Sequence, residues 1–171
     1  RGVEALIRWR HPERGLIPPL KFIPIAEETG VIEAIGTWVL NEACRQMAAW
    51  REAGFALQHV AVNVSAHQLR SPDLVSQVQA AIARFGLSPG ELELEITESV
   101  AMEDPERAID QLRALRDSGV VLAIDDFGTG YSSLAYLKML PIHTLKLDRA
   151  FVRDIETDEN DAAISAATLA L

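Results

Sequence analysis

The sequence predicts an α/β fold in which a mostly parallel sheet is built from alternating strands and helices. Short apolar runs of strand length recur along the chain, and stretches with apolar residues at helical spacing separate them. Gly, Pro and Asp residues stand at many of the boundaries between the two kinds of segment. Such alternation is typical of parallel sheets, and the pattern contains about five strand–helix units.

Each element is predicted from its own periodicity and flanking residues. The predicted strands cover residues 3–9, 59–65, 91–97, 120–124 and 144–147. The predicted helices cover residues 20–28, 32–50, 71–85, 104–118 and 131–140, and a last stretch after residue 147. We expect Ser71 to cap the third helix, residues 11–19 to form a turn-rich loop, and the fourth strand to stop at Asp125.

Two α/β architectures are compatible with this order of elements. One is an open, doubly wound sheet of about five strands. The other is a piece of a (β/α)8 barrel, which normally needs about 250 residues. The chain has 171 residues. The periodicity alone leaves both architectures open.

Composition and charge exclude several classes of protein. The chain has 16 Lys and Arg against 25 Asp and Glu, a net charge of −9, so we expect no DNA or RNA partner. There is one cysteine, Cys44, which favours a reducing, cytoplasmic compartment and which we interpret as a helix packing residue. No apolar run approaches the roughly 18 residues that a transmembrane helix needs.

A polar side chain interrupts one predicted strand after another. Parallel strands are buried on both faces, so a charge inside one needs a reason. In both architectures reactive groups collect at the carboxyl ends of the strands. We therefore expect these side chains to meet at one edge of the sheet. They are Glu4, Asn63, Glu95, Asp125, Asp126 and Lys146.

The ligand types in this set favour Mg²⁺ or Mn²⁺, because all of them are hard oxygen donors without His or Cys. The adjacent Asp125 and Asp126 permit one carboxylate to bridge two ions, an arrangement suited to phosphoester cleavage. Lys146 is then the residue that orients or deprotonates a water molecule. Arg8 has the guanidinium fork that suits a phosphate.

Each of these residues also has a purely structural interpretation. A lone strand glutamate is more often salt-bridged than catalytic, and Asp125 to Gly128 is a favourable turn sequence. We assign Glu93 as a structural or exposed partner. Taken together, however, one polar residue in each strand is not what packing alone predicts.

Five segments of the chain carry a specific pattern at these same residues. They are Glu4-Ala5-Leu6, Val62-Asn63-Val64-Ser65, Glu95-Ile96-Thr97-Glu98-Ser99, Asp125-Asp126-Phe127-Gly128-Thr129-Gly130-Tyr131-Ser132-Ser133-Leu134 and Leu145-Lys146-Leu147-Asp148. Together they resemble the EAL domain family, which hydrolyses the bacterial second messenger cyclic di-GMP to linear pGpG. The resemblance covers the whole chain. It implies a modified, TIM-like (β/α)8 barrel in place of the open sheet.

The resemblance also implies a role for each matching residue. Lys146 assists the attacking water, Glu98 anchors the loop of residues 126–134, and Arg8 and Leu6 bind substrate. The metal ligands that it implies, for two ions of Mg²⁺ or Mn²⁺ in the complete domain, are Glu4, Asn63, Glu95, Asp125 and Asp126.

The resemblance carries expectations about the surroundings of the chain. The family pattern has an earlier strand and, later, a further metal-binding glutamate. We therefore expect residues 1–171 to be an EAL domain lacking its first strand and the C-terminal part of the barrel, and to be inactive alone. The family commonly dimerises through helices near the 126–134 loop. Fused sensor or GGDEF domains and an inner-membrane anchor in the parent protein are further expectations.

Two rival functions remain. A non-catalytic EAL module could act as a cyclic di-GMP receptor, but every ligand that the chain can show is present. A phospho-receiver domain also has five strand–helix units, an acidic pair and a strand-end lysine. It places the acidic pair after its first strand, whereas here the pair follows the fourth and the third contains Glu95.

Overall fold

The computed structural model describes residues 1–130 and 134–169. Its strands are β1 (Val3–Ala5), β2 (Trp9–His11), β3 (Gly15–Ile17), β4 (Val60–Asn63), β5 (Leu92–Thr97), β6 (Val121–Phe127) and β7 (Thr144–Leu147). Its helices are α1 (Pro19–Glu28), α2 (Ile32–Glu52), α3 (Ala66–Arg70), α4 (Leu74–Phe85), α5 (Glu98–Glu103), α6 (Pro105–Asp117), α7 (Leu134–Leu137), α8 (Ala150–Arg153) and α9 (Glu159–Leu169).

The main sheet of the described residues is parallel, with strand order β1-β4-β5-β6-β7. Each strand therefore pairs with the next parallel strand along the chain, and the order never reverses. A doubly wound sheet requires such a reversal at its switch point, so the structure excludes that alternative. Winding in one direction is the arrangement of consecutive units in a (β/α)8 barrel, and the predicted α/β fold with about five units is confirmed.

The two faces of the sheet differ sharply in chemistry. Alternate residues such as Val62, Leu94 and Ile124 belong to one apolar cluster with buried residues of α2, α4 and α6. The residues between them form the opposite face, which we call the inner face because it corresponds to the interior of a barrel. The register aligns its members in rows across the strands. These rows contain Glu4, Ala61, Asn63, Glu93, Glu95, Val121, Ala123 and Asp125.

The structure corrects several predicted boundaries. Strand β1 ends at Ala5, and Trp9 lies in an antiparallel hairpin of β2 and β3, so residues 11–19 are not simply a loop. The predicted cap of the third helix at Ser71 is wrong, since α4 begins at Leu74 and Asp73 stands at its N-cap position. Helices α3 and α5 are too short to show a period and escaped the sequence pattern.

The predicted helix 131–140 can be judged only in part. Residues 131–133, which are part of the 126–134 loop, lie outside the described residues. Helix α7 forms from Leu134. In the described part of the chain, no helix combines the length and apolar character needed to span a bilayer.

Candidate active site

The first two predicted ligands contact each other across neighbouring strands. Asn63 donates a hydrogen bond from Nδ2 to Oε1 of Glu4 at 2.8 Å. Both residues are exposed at the inner face, Glu4 in β1 and Asn63 at the last position of β4. This hydrogen bond leaves the amide oxygen of Asn63 as the atom available for a cation.

Glu95 is the most deeply buried acid of the site, with 1% of its surface exposed. It is paired with Asn63 on one side and Ala123 on the other, and its carboxylate accepts a hydrogen bond from Nζ of Lys146. Burial raises the pKa of Glu95 above its ordinary value, and the nearby charges of Glu4 and Asp125 add to the effect, although Lys146 opposes it. The raised pKa of Glu95 therefore reflects its burial first and the neighbouring carboxylates second.

Lys146 lies in β7 and contacts two acids of β5. Besides Glu95, its Nζ lies 3.1 Å from Oε1 of Glu93. Burial alone would lower the pKa of this ammonium, but its contacts with Glu95 and Glu93 outweigh burial, and the pKa is raised. Lys146 is thus held as a cation between two carboxylates.

Asp125 and Asp126 lie within β6, not beyond it, so the prediction that the strand stops there is wrong. Ile124 pairs with Leu145 and Phe127 with Leu147, so β6 has one extra residue across this interval. Such a bulge redirects side chains and is common beside active sites. Asp126 has a φ of 53°, a left-handed conformation that Asp tolerates better than most residues.

Asp126 also contacts an acid for which the sequence suggested no role. Burial raises the pKa of Asp126, and the charges of Asp125 and Asp148 together with a hydrogen bond to Asp148 raise it further. Asp148 follows Lys146 by two residues, just after β7. Its position at a strand end is the signal that could have identified it.

Glu98 connects the beginning of α5 to the loop after β6. Its Oε2 accepts hydrogen bonds from the backbone N–H groups of Gly128 at 2.7 Å and Gly130 at 3.2 Å. The side chain is buried. This geometry is that of an anchor for the first part of the 126–134 loop.

The two predicted substrate-binding residues lie beside the acids rather than among them. Leu6 is 56% exposed, and Arg8 is exposed with Nη1 donating to the carbonyl oxygen of Ile7 at 2.8 Å. A cleft of about 350 Å³ opens at the carboxyl ends of β1, β4 and β5 and is lined by Leu6, Asn63 and Thr97. A ligand in this cleft would reach the edge where the acids lie.

The structure places the predicted polar residues at one end of one face of the sheet, but their side chains do not all point towards a common centre. Among the described residues, no three Asp, Glu, His or Cys side chains stand at metal-binding separation. Lys146 holds Glu95, and Asn63 holds Glu4. The set is therefore a neighbourhood of oxygen donors, several of which are occupied by other partners.

Glu93 is the residue whose importance the sequence understated. It is buried and contacts Lys146 at 3.1 Å, while its second oxygen lies 3.8 Å from Nε2 of His59. Of the two alternatives that the sequence offered for Glu93, a structural or an exposed partner, its burial excludes the exposed one. The signal that could have indicated more is its spacing of two from Glu95, which places both acids on the same face.

The fold and this edge together define a class: a parallel α/β barrel segment with acids and a lysine at the carboxyl ends of its strands. The family model of the EAL domain matches residues 1–171. The chain belongs to the EAL domain family.

Individual relatives give the same result. The chain is 52% identical over 170 residues to the bifunctional diguanylate cyclase/cyclic di-GMP phosphodiesterase MucR of Pseudomonas aeruginosa, covering 99% of this chain and 25% of MucR. It is 42% identical over 171 residues to the cyclic di-GMP phosphodiesterase PdeR of Escherichia coli, covering 100% of this chain and 26% of PdeR. The chain thus spans about a quarter of these curated relatives.

Solved structures confirm the fold. The PaMucR phosphodiesterase in complex with c-di-GMP superposes with a TM-score of 0.92 at 51% identity, covering 98% of this chain and 68% of that one. A match of this quality assigns the described sheet and helices to the barrel of an EAL domain.

Proposed function

We propose that the protein containing this chain is a divalent-metal-dependent phosphodiesterase that hydrolyses cyclic di-GMP to linear pGpG. The observation that carries the proposal is the row of oxygen donors on the inner face, with Lys146 reaching into it from β7. The relatives MucR and PdeR, both named as cyclic di-GMP phosphodiesterases, support the same activity.

The donor set suits Mg²⁺ or Mn²⁺, since it consists of carboxylates and one amide. We propose Glu4, Asn63, Glu95 and Asp125 for a first ion and Asp125 with Asp126 for a second. Two features of the structure support a cation here: the amide oxygen of Asn63 is left available, and several carboxylates lie at the same end of one face. Divalent ions, when bound, supply positive charge that activates a water molecule and stabilises a leaving oxygen.

The remaining roles belong to side chains of this chain. Lys146 carries a positive charge beside the acids and can orient the attacking water or offset negative charge in the transition state. Arg8 is exposed, directly follows Ile7 of the cleft lining, and can bind a phosphate of the dinucleotide through its guanidinium. Leu6 offers an apolar contact to the same ligand. Glu98 holds the backbone after β6 so that Asp125 and Asp126 keep their positions.

Two finer features accompany the proposal. We propose that residues 1–171 form part of a longer EAL domain and that further signalling domains flank it, as the length of the curated relatives suggests. We also propose dimerisation through helices near the 126–134 loop, which the family commonly uses. Size measurement of the purified protein with cross-linking at α7 tests this arrangement.

A receptor function is the second candidate, and one observation favours it. Glu95 is engaged by Lys146, and the acids among the described residues do not converge as a ready metal site. A receptor would bind cyclic di-GMP without hydrolysing it.

One experiment decides between the two functions. The natural protein containing this chain is incubated with cyclic di-GMP and Mg²⁺ or Mn²⁺, and pGpG is measured by chromatography. We expect metal-dependent pGpG that disappears on chelation and in Asp125→Asn. Tight binding of cyclic di-GMP without any metal-dependent product would establish the receptor function instead.

A further inference from the structure

Glu93 is a buried acid that the proposed chemistry does not use. It lies on the inner face of β5, two residues before Glu95 and about 7 Å from it along the strand. Only 4% of its surface is exposed. A carboxylate buried to this degree needs a partner, because an unpaired buried charge costs several kcal/mol.

The partner of Glu93 is Lys146, which it shares with Glu95. Nζ of Lys146 lies 3.1 Å from Oε1 of Glu93 and donates to Glu95 as well. Strands β5 and β7 are separated by β6, a span of about 9–10 Å. Ala123 of β6 pairs with both Glu95 and Thr144, and its small side chain leaves room for a lysine to cross the sheet.

The two carboxylates that contact Lys146 differ in whether they are also proposed to bind metal. Glu95 is a proposed metal ligand, and a carboxylate that binds a cation has less negative charge to offer an ammonium. Glu93 has no such competing role, and its second oxygen faces His59 at 3.8 Å. When Glu95 binds a metal ion, Glu93 is still available to form the ion pair with Lys146.

We propose that Glu93 is a positioning residue that holds the ammonium of Lys146 while Glu95 binds metal. This inference rests on the proposed function and deepens it. Glu93 contacts neither substrate nor metal; it acts through Lys146. Without Glu93, the lysine depends on Glu95 alone, so it competes with the metal and loses its position beside the reacting groups.

The first test measures catalysis in the natural protein containing this chain. In Glu93→Gln we expect kcat to fall about 10- to 100-fold, the usual effect of removing a supporting partner, with KM for cyclic di-GMP changed less than about twofold. Glu93→Asp keeps the charge and should recover part of the loss. The matched control is Glu91→Gln, which removes an ion pair with Arg51 at 2.7 Å near the other end of β5 and should leave kcat unchanged.

The second test measures Mn²⁺ affinity by calorimetry and needs no turnover. We expect Glu93→Gln to weaken Mn²⁺ binding about tenfold when Lys146 is present. In the Lys146→Met background the same substitution should have little effect, because the lysine through which it acts is absent. Thermal melting of each variant separates loss of folding from loss of positioning.

The outcomes are distinct. An unchanged kcat in Glu93→Gln, or an equal loss of Mn²⁺ affinity with and without Lys146, would overturn the positioning role. If the unsubstituted protein makes no pGpG, the proposed function fails and no catalytic role for Glu93 survives. The affinity cycle then still shows whether Glu93 controls Lys146.

Discussion

Among individual residues, the buried acids lie close to the proposed active site. Glu93, Glu95 and Glu98 are buried, and each has a specific partner: Lys146 for the first two, and two backbone N–H groups for Glu98. In contrast, exposed acids such as Glu103 form surface ion pairs, which contribute little to stability. Burial with a defined partner therefore distinguishes these three glutamates from the surface ion pairs, whereas the proposed ligands Glu4 and Asp126 are exposed.

Cys44 shows what burial in the apolar cluster does to a titratable side chain. It lies in α2, is fully buried in the apolar cluster, and burial raises the pKa of its thiol to about 11 from 9.0. The folded state therefore favours the protonated thiol. The resulting stabilisation is fully present below pH 9 and is lost as the pH rises through about 11.

We expect this shift of about two units to contribute about 2–3 kcal/mol to the loss of stability between pH 9 and 11. Urea unfolding across this range should show a steeper decline in the unsubstituted protein than in Cys44→Ala, because the variant has no thiol to titrate. The comparison uses the difference in slope, so the packing cost of the smaller side chain cancels. Equal slopes would show that the thiol does not titrate in this range.

At the level of elements, the bulge in β6 determines how the acidic pair is presented. Without an extra residue, Asp125 and Asp126 would point to opposite faces of the strand. The bulge and the left-handed φ of Asp126 change that alternation. Gly128, with a φ of 99°, continues the turn, and a Cβ there would lie 2.8 Å from the ring of Phe151. Side chains larger than hydrogen are therefore excluded at this position.

Glu98 is expected to stabilise the connection between α5 and this turn. Glu98→Ala leaves the N–H groups of Gly128 and Gly130 without their acceptor, which should cost about 1–3 kcal/mol and lower kcat through displacement of Asp125 and Asp126. Glu98→Gln retains an acceptor oxygen and should lose less.

The matched control for Glu98 is Glu103→Ala at the other end of the same helix. Glu103 forms an exposed ion pair with Arg70, so we expect a change within about 1 kcal/mol and unaltered activity. Chemical denaturation and pGpG production measure both variants. If Glu98→Ala behaves like Glu103→Ala, the anchor does not support the site.

For the whole molecule, the order of strands leaves β1 and β7 at the two edges of the described sheet. Edge strands expose unpaired backbone groups, which favour association with other chains. We expect residues 1–171 expressed alone to associate with increasing concentration and to melt at a lower temperature than a chain that includes the flanking part of the EAL domain proposed above. Light scattering during size exclusion measures this, and a stable monomer at all concentrations would contradict it.

The net charge of −9 bears on how the protein could bind an anionic ligand. The negative charge is not spread evenly over the surface, because four of the acids lie near one end of the inner face. They are Glu4, Glu95, Asp125 and Asp126. If these residues bind divalent ions as proposed, the ions supply local positive charge for an anionic dinucleotide. An acidic protein can therefore bind an anionic substrate.

The fold class, the approximate strands and the polar residues that interrupt them were all predictable from the amino-acid sequence. These features depend on periodicity and residue type, which are local properties. The sequence could not place the hairpin of β2 and β3, because strands of three residues are too short to show an alternating pattern. It could not place the bulge in β6, because that bulge depends on pairing with β7, which lies further along the chain. The motifs nevertheless identified the EAL family, which the comparisons confirmed.

Periodicity left both architectures open, the family resemblance implied the barrel, and the strand order of the structure established it independently. The partners of the polar residues are visible in the tertiary structure alone. The unreversed strand order excludes the doubly wound sheet, and it depends on which strands pair, not on their sequences alone. The same holds for Lys146, whose contacts with Glu93 and Glu95 cross an intervening strand. Residue types determine which chemistry is available, but distances between elements far apart in sequence determine which residues act together.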